Sequence, residues 1–248
     1  MKKFLSIIIT CFLCTSLFAA EAKTIRFGTE GTYPPFEYVD ESGQLRGFDI
    51  DLAKALCKEM KAECSFSKQS FNSLIPSLKL GKFDAIIASI GITPERQKQV
   101  AFSDVYYEPS GSFVAPAAKH YKLSDVDGKT IGVQLSSTLE RYLQDKYSDK
   151  VKMKTYVSIQ EAFLDLVAGR VDMVLSDTPV ALAWLKQNNS AQYAVVGAPI
   201  VDHQYFGAGI GIAVNLKNTE LLNALNAALA KIRANGRYQK LMQEYFGK

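Results

Sequence analysis

Leu78-Lys79-Leu80-Gly81-Lys82-Phe83-Asp84-Ala85-Ile86-Ile87-Ala88-Ser89 lines up without a gap with Leu166-Val167-Ala168-Gly169-Arg170-Val171-Asp172-Met173-Val174-Leu175-Ser176-Asp177. Each copy reads as the end of an amphipathic helix, a Gly stop, a basic residue and a buried β-strand. Upstream, Lys23-Thr24-Ile25-Arg26-Phe27-Gly28 is echoed by Lys129-Thr130-Ile131-Gly132-Val133. A helix–Gly–strand phrase is common in α/β proteins, so the weight lies on the joint match of the Gly, the basic residue and the Asp. Each copy opens with a strand and continues in helix–strand units. That order predicts an α/β fold of two similar lobes with mostly parallel sheets. It also puts Ser89 and Asp177 at equivalent places just past equivalent strands, facing each other across the gap.

The lobes are expected to be joined twice. Residues 102–113 and 197–211 are both rich in aromatics, Pro and Gly and lack a helical period. Two crossovers make a hinge, a geometry associated with closure around a ligand. One lobe is expected to comprise residues 23–109 with 201–248, and the other residues 110–200. After the second crossing the sequence predicts a strand over 210–214 and a helix over 219–235. In that helix Leu221, Leu222, Leu225, Leu229 and Ile232 recur at helical spacing and read as core.

Lys2 and Lys3 precede an apolar run over residues 4–18, followed by small residues and an Ala20-Glu21-Ala22 exit. That is the layout of a secretory signal peptide over residues 1–22, too short for a membrane span. Beyond it, 27 basic and 24 acidic residues leave a net charge of +3. This balance, without a Lys/Arg block interleaved with aromatics, argues against nucleic acid.

Cys57 and Cys64 are the cysteines left after the leader. In continuous helix their Cα atoms would stand roughly 10.5 Å apart, from about 1.5 Å of rise per residue. A disulfide tolerates no more than about 7 Å. The helix that starts near Phe48 is therefore expected to end over 60–62, with the bond pinning its exit. No His or Cys neighbours accompany the pair, so no metal site is expected.

Four groups carry the binding chemistry. Gly28-Thr29-Glu30-Gly31-Thr32-Tyr33-Pro34-Pro35-Phe36 sets an acid and a ring on a stiff loop at the end of a strand, where α/β proteins bind small ligands. Arg96 follows Ile92-Thr93-Pro94-Glu95 and can hold a carboxylate through two parallel hydrogen bonds, or else lie on the surface at a helix start. Ser137-Thr138-Leu139-Glu140 fits a capping box whose helix start is a ready anion site. Asp177 can hold an ammonium group, with Ser89 adding a hydroxyl, or can cap the helix that follows. Together these groups suit the clamp for an α-amino acid.

The loop above, with Gly47-Phe48-Asp49-Ile50-Asp51-Leu52-Ala53-Lys54, Leu74-Ile75-Pro76-Ser77-Leu78, Ile92 to Arg96 and Tyr205-Phe206-Gly207, resembles the periplasmic amino-acid-binding proteins of ABC importers. The resemblance covers nearly the whole chain beyond the leader, is strongest to the basic amino-acid branch, and includes the Cys57/Cys64 spacing. It implies the two-lobed periplasmic binding protein fold of type II, with the ligand in the interlobe cleft. Arg96, Thr138 and nearby amides would bind the α-carboxylate, and Asp177 with Ser89 the α-amine. Tyr33 and Phe71 would sandwich the side chain, and Glu30 would reach its distal cation. Ile90, Gly91, Gln134 and Ser137 complete the expected set. Gly91 stands where the histidine-binding pattern has a Ser, Ala88 replaces another Ser, and Gln134 replaces an apolar residue.

The resemblance implies a monomer without cofactor, working with a permease of the inner membrane. Arginine is favoured over lysine, ornithine and histidine, because a flat, weakly hydrated guanidinium stacks between rings. The rival reading is an enzyme on the same scaffold, such as a cyclohexadienyl dehydratase-like protein. It would need an acid kept protonated near neutral pH, and neither Glu30 nor Asp177 obviously qualifies.

Overall fold

The computed structural model describes residues 23–188 and 191–248. The leader reading falls on residues 1–22 and lies outside them. Among the described residues, no helix is long and apolar enough to cross a membrane.

The chain opens with β1 (Thr24–Thr29), a small ribbon of β2 (Thr32–Tyr33), β3 (Glu37–Val39) and β4 (Leu45–Arg46), and α1 (Phe48–Glu59). Then come β5 (Glu63–Lys68), α2 (Leu74–Lys79), β6 (Ala85–Ile86), α3 (Pro94–Gln97) and β7 (Val100–Phe102). A second run holds β8 (Gly111–Pro116), β9 (Thr130–Gln134), α4 (Thr138–Tyr147), β10 (Lys152–Tyr156) and α5 (Ile159–Val167). It continues through β11 (Met173–Asp177), α6 (Thr178–Gln187) and β12 (Tyr193–Ile200). The chain then returns through α7 (His203–Phe206) to β13 (Ala213–Asn215), α8 (Thr219–Ala234) and α9 (Arg237–Phe246).

Two five-stranded sheets result, ordered β5-β1-β6-β13-β7 and β10-β9-β11-β8-β12. They share one plan. β1 runs parallel to β5 and β6, as β9 does to β10 and β11. In each sheet the fourth strand runs against its neighbours: β13 against β6 and β7, and β8 against β11 and β12. The reversed strand is the one the chain enters directly from a crossing.

The sequence repeat is structural. Gly81 and Gly169 sit at φ +71° and +68°, a left-handed conformation that ends α2 and α5 at little cost to glycine. Asp84 and Asp172 accept the backbone N–H of Arg26 at 2.9 Å and of Thr130 at 2.8 Å, and so lock equivalent strands together.

The chain passes between the sheets over 103–110 and 201–212, and the two segments are tied together. The Tyr106 N–H donates to the Ile210 carbonyl at 2.8 Å, and the Ile210 N–H to the Tyr107 carbonyl at 2.8 Å. A Cβ on Gly209 would lie 2.4 Å from Val105, so only glycine permits this approach. Because Ile210 is engaged here, the strand expected over 210–214 begins at Ala213 instead. The helix expected over 219–235 is α8, and its apolar positions Leu221, Leu225, Leu229 and Ile232 are buried.

α1 ends at Glu59, within two residues of the expected stop, and β5 starts at Glu63. Cys57 and Cys64 are bonded across this bend with their Cα atoms 6.0 Å apart. Phe48, at the start of α1, is fully buried among Tyr106, Tyr107 and Phe246. Burying a ring of that size contributes about 1.5–3 kcal/mol.

Candidate binding site

Loops at the ends of both sheets enclose a small cleft. Eight of the eleven expected residues line it: Glu30, Tyr33, Phe71, Arg96, Gln134, Ser137, Thr138 and Asp177, joined by Ala88 and Leu139.

Arg96 stands on α3, whose N-cap Thr93 accepts the Arg96 N–H at 3.3 Å. Its guanidinium donates to the Gly91 carbonyl at 2.9 Å and to the Ser136 carbonyl at 3.0 Å, and so bridges the two halves. It also lies 5.4 Å from the centroid of the Phe71 ring. Burial pulls it down to about 10, against the opposing pull of Asp177 and Glu95, so it stays cationic. The surface-arginine alternative does not hold.

Opposite Arg96, α4 begins at Thr138 with Ser137 as N-cap, the Ser137 hydroxyl accepting the Glu140 N–H at 3.0 Å. The expected capping box is displaced by one residue. Glu140 accepts from the Ser136 N–H, because the Ser137 N–H already donates to the Gln134 carbonyl. The amides of Thr138 and Leu139 head the helix without an intrahelical acceptor, and the helix dipole adds to their pull on an anion.

Asp177 occupies the N-cap of α6, yet its carboxylate makes no capping bond. It faces the cleft and accepts the Tyr33 hydroxyl at 2.7 Å. Burial raises it to about 6, opposed by the Tyr33 hydroxyl and by Arg96. Position and cleft-facing role therefore coexist, as the sequence left open.

At the far end Glu30 is 7% exposed. Gln134 Nε2 donates to both its oxygens, at 2.8 and 2.9 Å, and the Thr32 hydroxyl to one of them at 2.8 Å. Burial raises its pKa and Glu161 adds to the rise, while Gln134 and Thr32 oppose it. Gln134, which stands where the histidine-binding pattern has an apolar residue, adds a polar contact. Its target is Glu30.

Tyr33 is backed by Phe36, with ring centroids 6.3 Å apart. Tyr33 and Phe71 thus border the same cleft from different elements, the ribbon and the short turn over Phe71–Ser73.

Three expected residues lie behind the lining. Ile90 is 2% exposed and packs with Leu74 and Leu78 in the core. The Gly91 carbonyl orients Arg96. A Cβ there would lie 2.8 Å from the Phe206 carbonyl oxygen. Ser89 adopts φ +46°, its N–H donates to Asp49 Oδ2 at 2.7 Å, and its buried hydroxyl has no partner among the described residues.

Sequence reasoning missed Leu139, an ordinary apolar helix residue, and the outer ties between the halves. These are Arg141 with Glu95 at 2.8 Å and Gln160 Nε2 with the Thr32 carbonyl at 3.5 Å. Long-range pairs of this kind carry no local sequence signal.

Residues 25–248 match the model of the bacterial extracellular solute-binding proteins, family 3. The chain is 47% identical over 247 residues to the ABC transporter arginine-binding protein 1 of Escherichia coli K12, covering 99% of each. Among solved structures it is similar to a Salmonella typhimurium periplasmic binding protein described for its high arginine specificity. The TM-score is 0.86 at 44% identity, over 91% of this chain and 100% of the other. It is also similar to an ancestral amino-acid-binding protein described as a precursor of cyclohexadienyl dehydratase, with a TM-score of 0.80 at 34% identity, over 90% and 95% of the two chains. With one two-sheet plan running from end to end and a family match over the same span, this chain belongs to the bacterial extracellular solute-binding proteins of family 3.

Proposed function

We propose that this protein is the periplasmic component of an ABC importer, which captures a basic L-amino acid and delivers it to a permease of the inner membrane. Arginine is the favoured ligand, ahead of lysine, ornithine and histidine. Residues 23–109 with 201–248 form one lobe and 110–200 the other, and the paired crossings serve as the hinge. The observation that carries the reading is that opposite charges converge on one cleft: Arg96 and the start of α4 share its lining with Asp177 and the buried Glu30.

The α-carboxylate takes the Arg96 guanidinium and the Thr138 and Leu139 amides. The α-ammonium takes Asp177, with the Ser89 hydroxyl as a second acceptor. A buried carboxylate is costly without a cation beside it, so Glu30 discriminates against neutral side chains. A guanidinium gains twice, from a charge-assisted hydrogen bond to Glu30 and from Tyr33 and Phe71, at roughly 0.5–2 kcal/mol for each cation–π contact. An ammonium is more strongly hydrated and stacks less well, which places lysine and ornithine below arginine.

The similarity to the dehydratase precursor keeps an enzyme in view. The acid held most firmly protonated here, Glu37, is fully buried beside Asp49, outside the cleft lining. The cleft acids each face a group that favours their charged form. Binding without turnover is the better reading.

A thermal-shift screen against the amino acids and ornithine tests it, because a ligand that selects the native state raises its stability. The largest shift is expected with arginine. A larger shift with a neutral or acidic amino acid overturns the assignment.

A further inference from the structure

Behind the cleft lie two carboxyls that the proposed binding chemistry does not use. Glu37 begins β3 and Asp49 sits in the first turn of α1, and neither exposes any surface. Asp49 Oδ2 accepts the Ser89 N–H at 2.7 Å and the Tyr106 hydroxyl at 3.0 Å. Asp49 Oδ1 and both Glu37 oxygens meet no N–H or O–H donor from another residue among those described. The Asp49 N–H donates to the carbonyl of Phe36, the residue before Glu37, at 2.8 Å, and this sets the two carboxyls side by side, each acting on the other's charge.

Two carboxylates offer only acceptors, so one of this pair carries a proton. The partners decide which. Asp49 has two donors that favour its charge, whereas Glu37 has none but Asp49 for company. The groups acting most on Glu37 are Asp49, Glu30 and Asp177, all acids. Those acting on Asp49 are Ser89, Tyr106 and Glu37. Burial and the neighbouring Asp49 charge hold Glu37 protonated well above the ordinary carboxyl range, while the Ser89 and Tyr106 donors oppose the burial that raises Asp49.

Ser89 shows what the pair does. Its φ of +46° is a conformation that a serine holds only with outside support. That support is the charge-assisted bond from its N–H to Asp49. We propose that Glu37 and Asp49 work as a one-proton pair that positions Ser89, and through it the acceptor for the ligand's α-ammonium. The proposal rests on the amino-acid reading of the cleft. Glu37 donates its proton to Asp49 Oδ1, which frees Oδ2 to anchor Ser89 and Tyr106.

The sign of the pH effect follows from the raised Glu37 carboxyl. Its contribution to stability is fully present below the ordinary carboxyl range and is lost as pH rises toward the folded-state value. A glutamine at this position donates an N–H to Asp49 at every pH, so Glu37→Gln removes the loss.

The experiment is thermal unfolding of the protein, with no amino acid added, from about pH 5 to pH 9 for wild type, Glu37→Gln and Asp49→Asn. It is paired with calorimetry using arginine and 5-guanidinopentanoate, which lacks the α-ammonium. Glu37→Gln is expected to match wild type at the acid end, to melt a few degrees above it at the alkaline end, and to keep arginine affinity within about threefold. Asp49→Asn is expected to weaken arginine roughly tenfold and leave 5-guanidinopentanoate unchanged.

Glycine enters positive φ freely, so Ser89→Gly is expected to reduce the stability cost of Asp49→Asn, and it gives a folded background if Asp49→Asn alone does not fold. Parallel pH profiles for wild type and Glu37→Gln overturn the shared proton. Equal weakening of both ligands, or additive stability losses with Ser89→Gly, overturn the positioning role. A wild type that binds neither ligand overturns the functional reading and the positioning role with it, while the unfolding profiles still decide the proton.

Discussion

The Tyr33 hydroxyl donates to Asp177 Oδ2 at 2.7 Å, joining the small ribbon beside β1 to the end of β11 in the other sheet. Burial raises both groups, Tyr33 well above its ordinary value and Asp177 to about 6. The bond keeps the phenol protonated and gives the carboxylate one neutral donor, leaving room for a cationic one.

Asp177→Asn keeps the shape and removes the charge. Losing a charge-assisted bond to an ammonium costs about 1.5–3 kcal/mol, so every α-amino acid is expected to bind ten- to a hundredfold more weakly. Calorimetry with arginine, lysine and histidine checks it. A loss confined to arginine contradicts the role.

The same carboxylate sets a pH dependence. Ammonium binding needs Asp177 ionised, so arginine affinity is expected to fall as pH drops through about 6. In the unliganded protein the sign is opposite. The raised value means that its contribution to stability is lost as pH rises from the ordinary carboxyl range through about 6. Affinity titrations of wild type and Asp177→Asn, the latter expected to be flat over this range, check the assignment.

Glu30→Gln separates cation recognition from amino-acid recognition. Arginine and lysine are expected to weaken by about 1.5–3 kcal/mol, with little change for a neutral amino acid such as glutamine. Because burial raises the Glu30 carboxyl, the unliganded variant is expected to be no less stable than wild type at neutral pH. Equal losses across ligands would place Glu30 outside the ligand's reach.

The disulfide is expected to serve stability alone. Cys57 and Cys64 are seven residues apart and neither lines the cleft. Opening so small a loop costs about 2–3 kcal/mol in the chain-entropy account, or roughly 5–10 °C in a chain of this size. Replacing both cysteines by serine should lower the melting temperature by that much and leave arginine affinity unchanged.

The fold was legible because its signals are local. The Gly81/Asp84 and Gly169/Asp172 pairs announce helix stops and strand locks within a few residues of one another, and two cysteines too far apart for one helix fix where α1 ends. Strand direction was less legible. β8 and β13 run against their neighbours because of where the crossings deliver them, which no periodicity records. In the cleft, eight of the expected residues share one lining. Ile90 is buried in the core cluster with Leu74 and Leu78 rather than on the cleft lining, a placement fixed by the packing of the loop after β6 and not by any local period. Gln134 needed a partner 104 positions away before its role could be read. Glu37 and Asp49 gave no sign of their burial, since acidic side chains read as surface until both sheets are assembled.

Isothermal titration calorimetry at neutral pH with arginine, lysine, ornithine, histidine, glutamine and glutamate tests the central claim most directly. The account predicts tightest binding to arginine, weaker binding to the other basic amino acids, and weakest binding to glutamate. Tightest binding to glutamine or glutamate, or no heat with arginine, would contradict it.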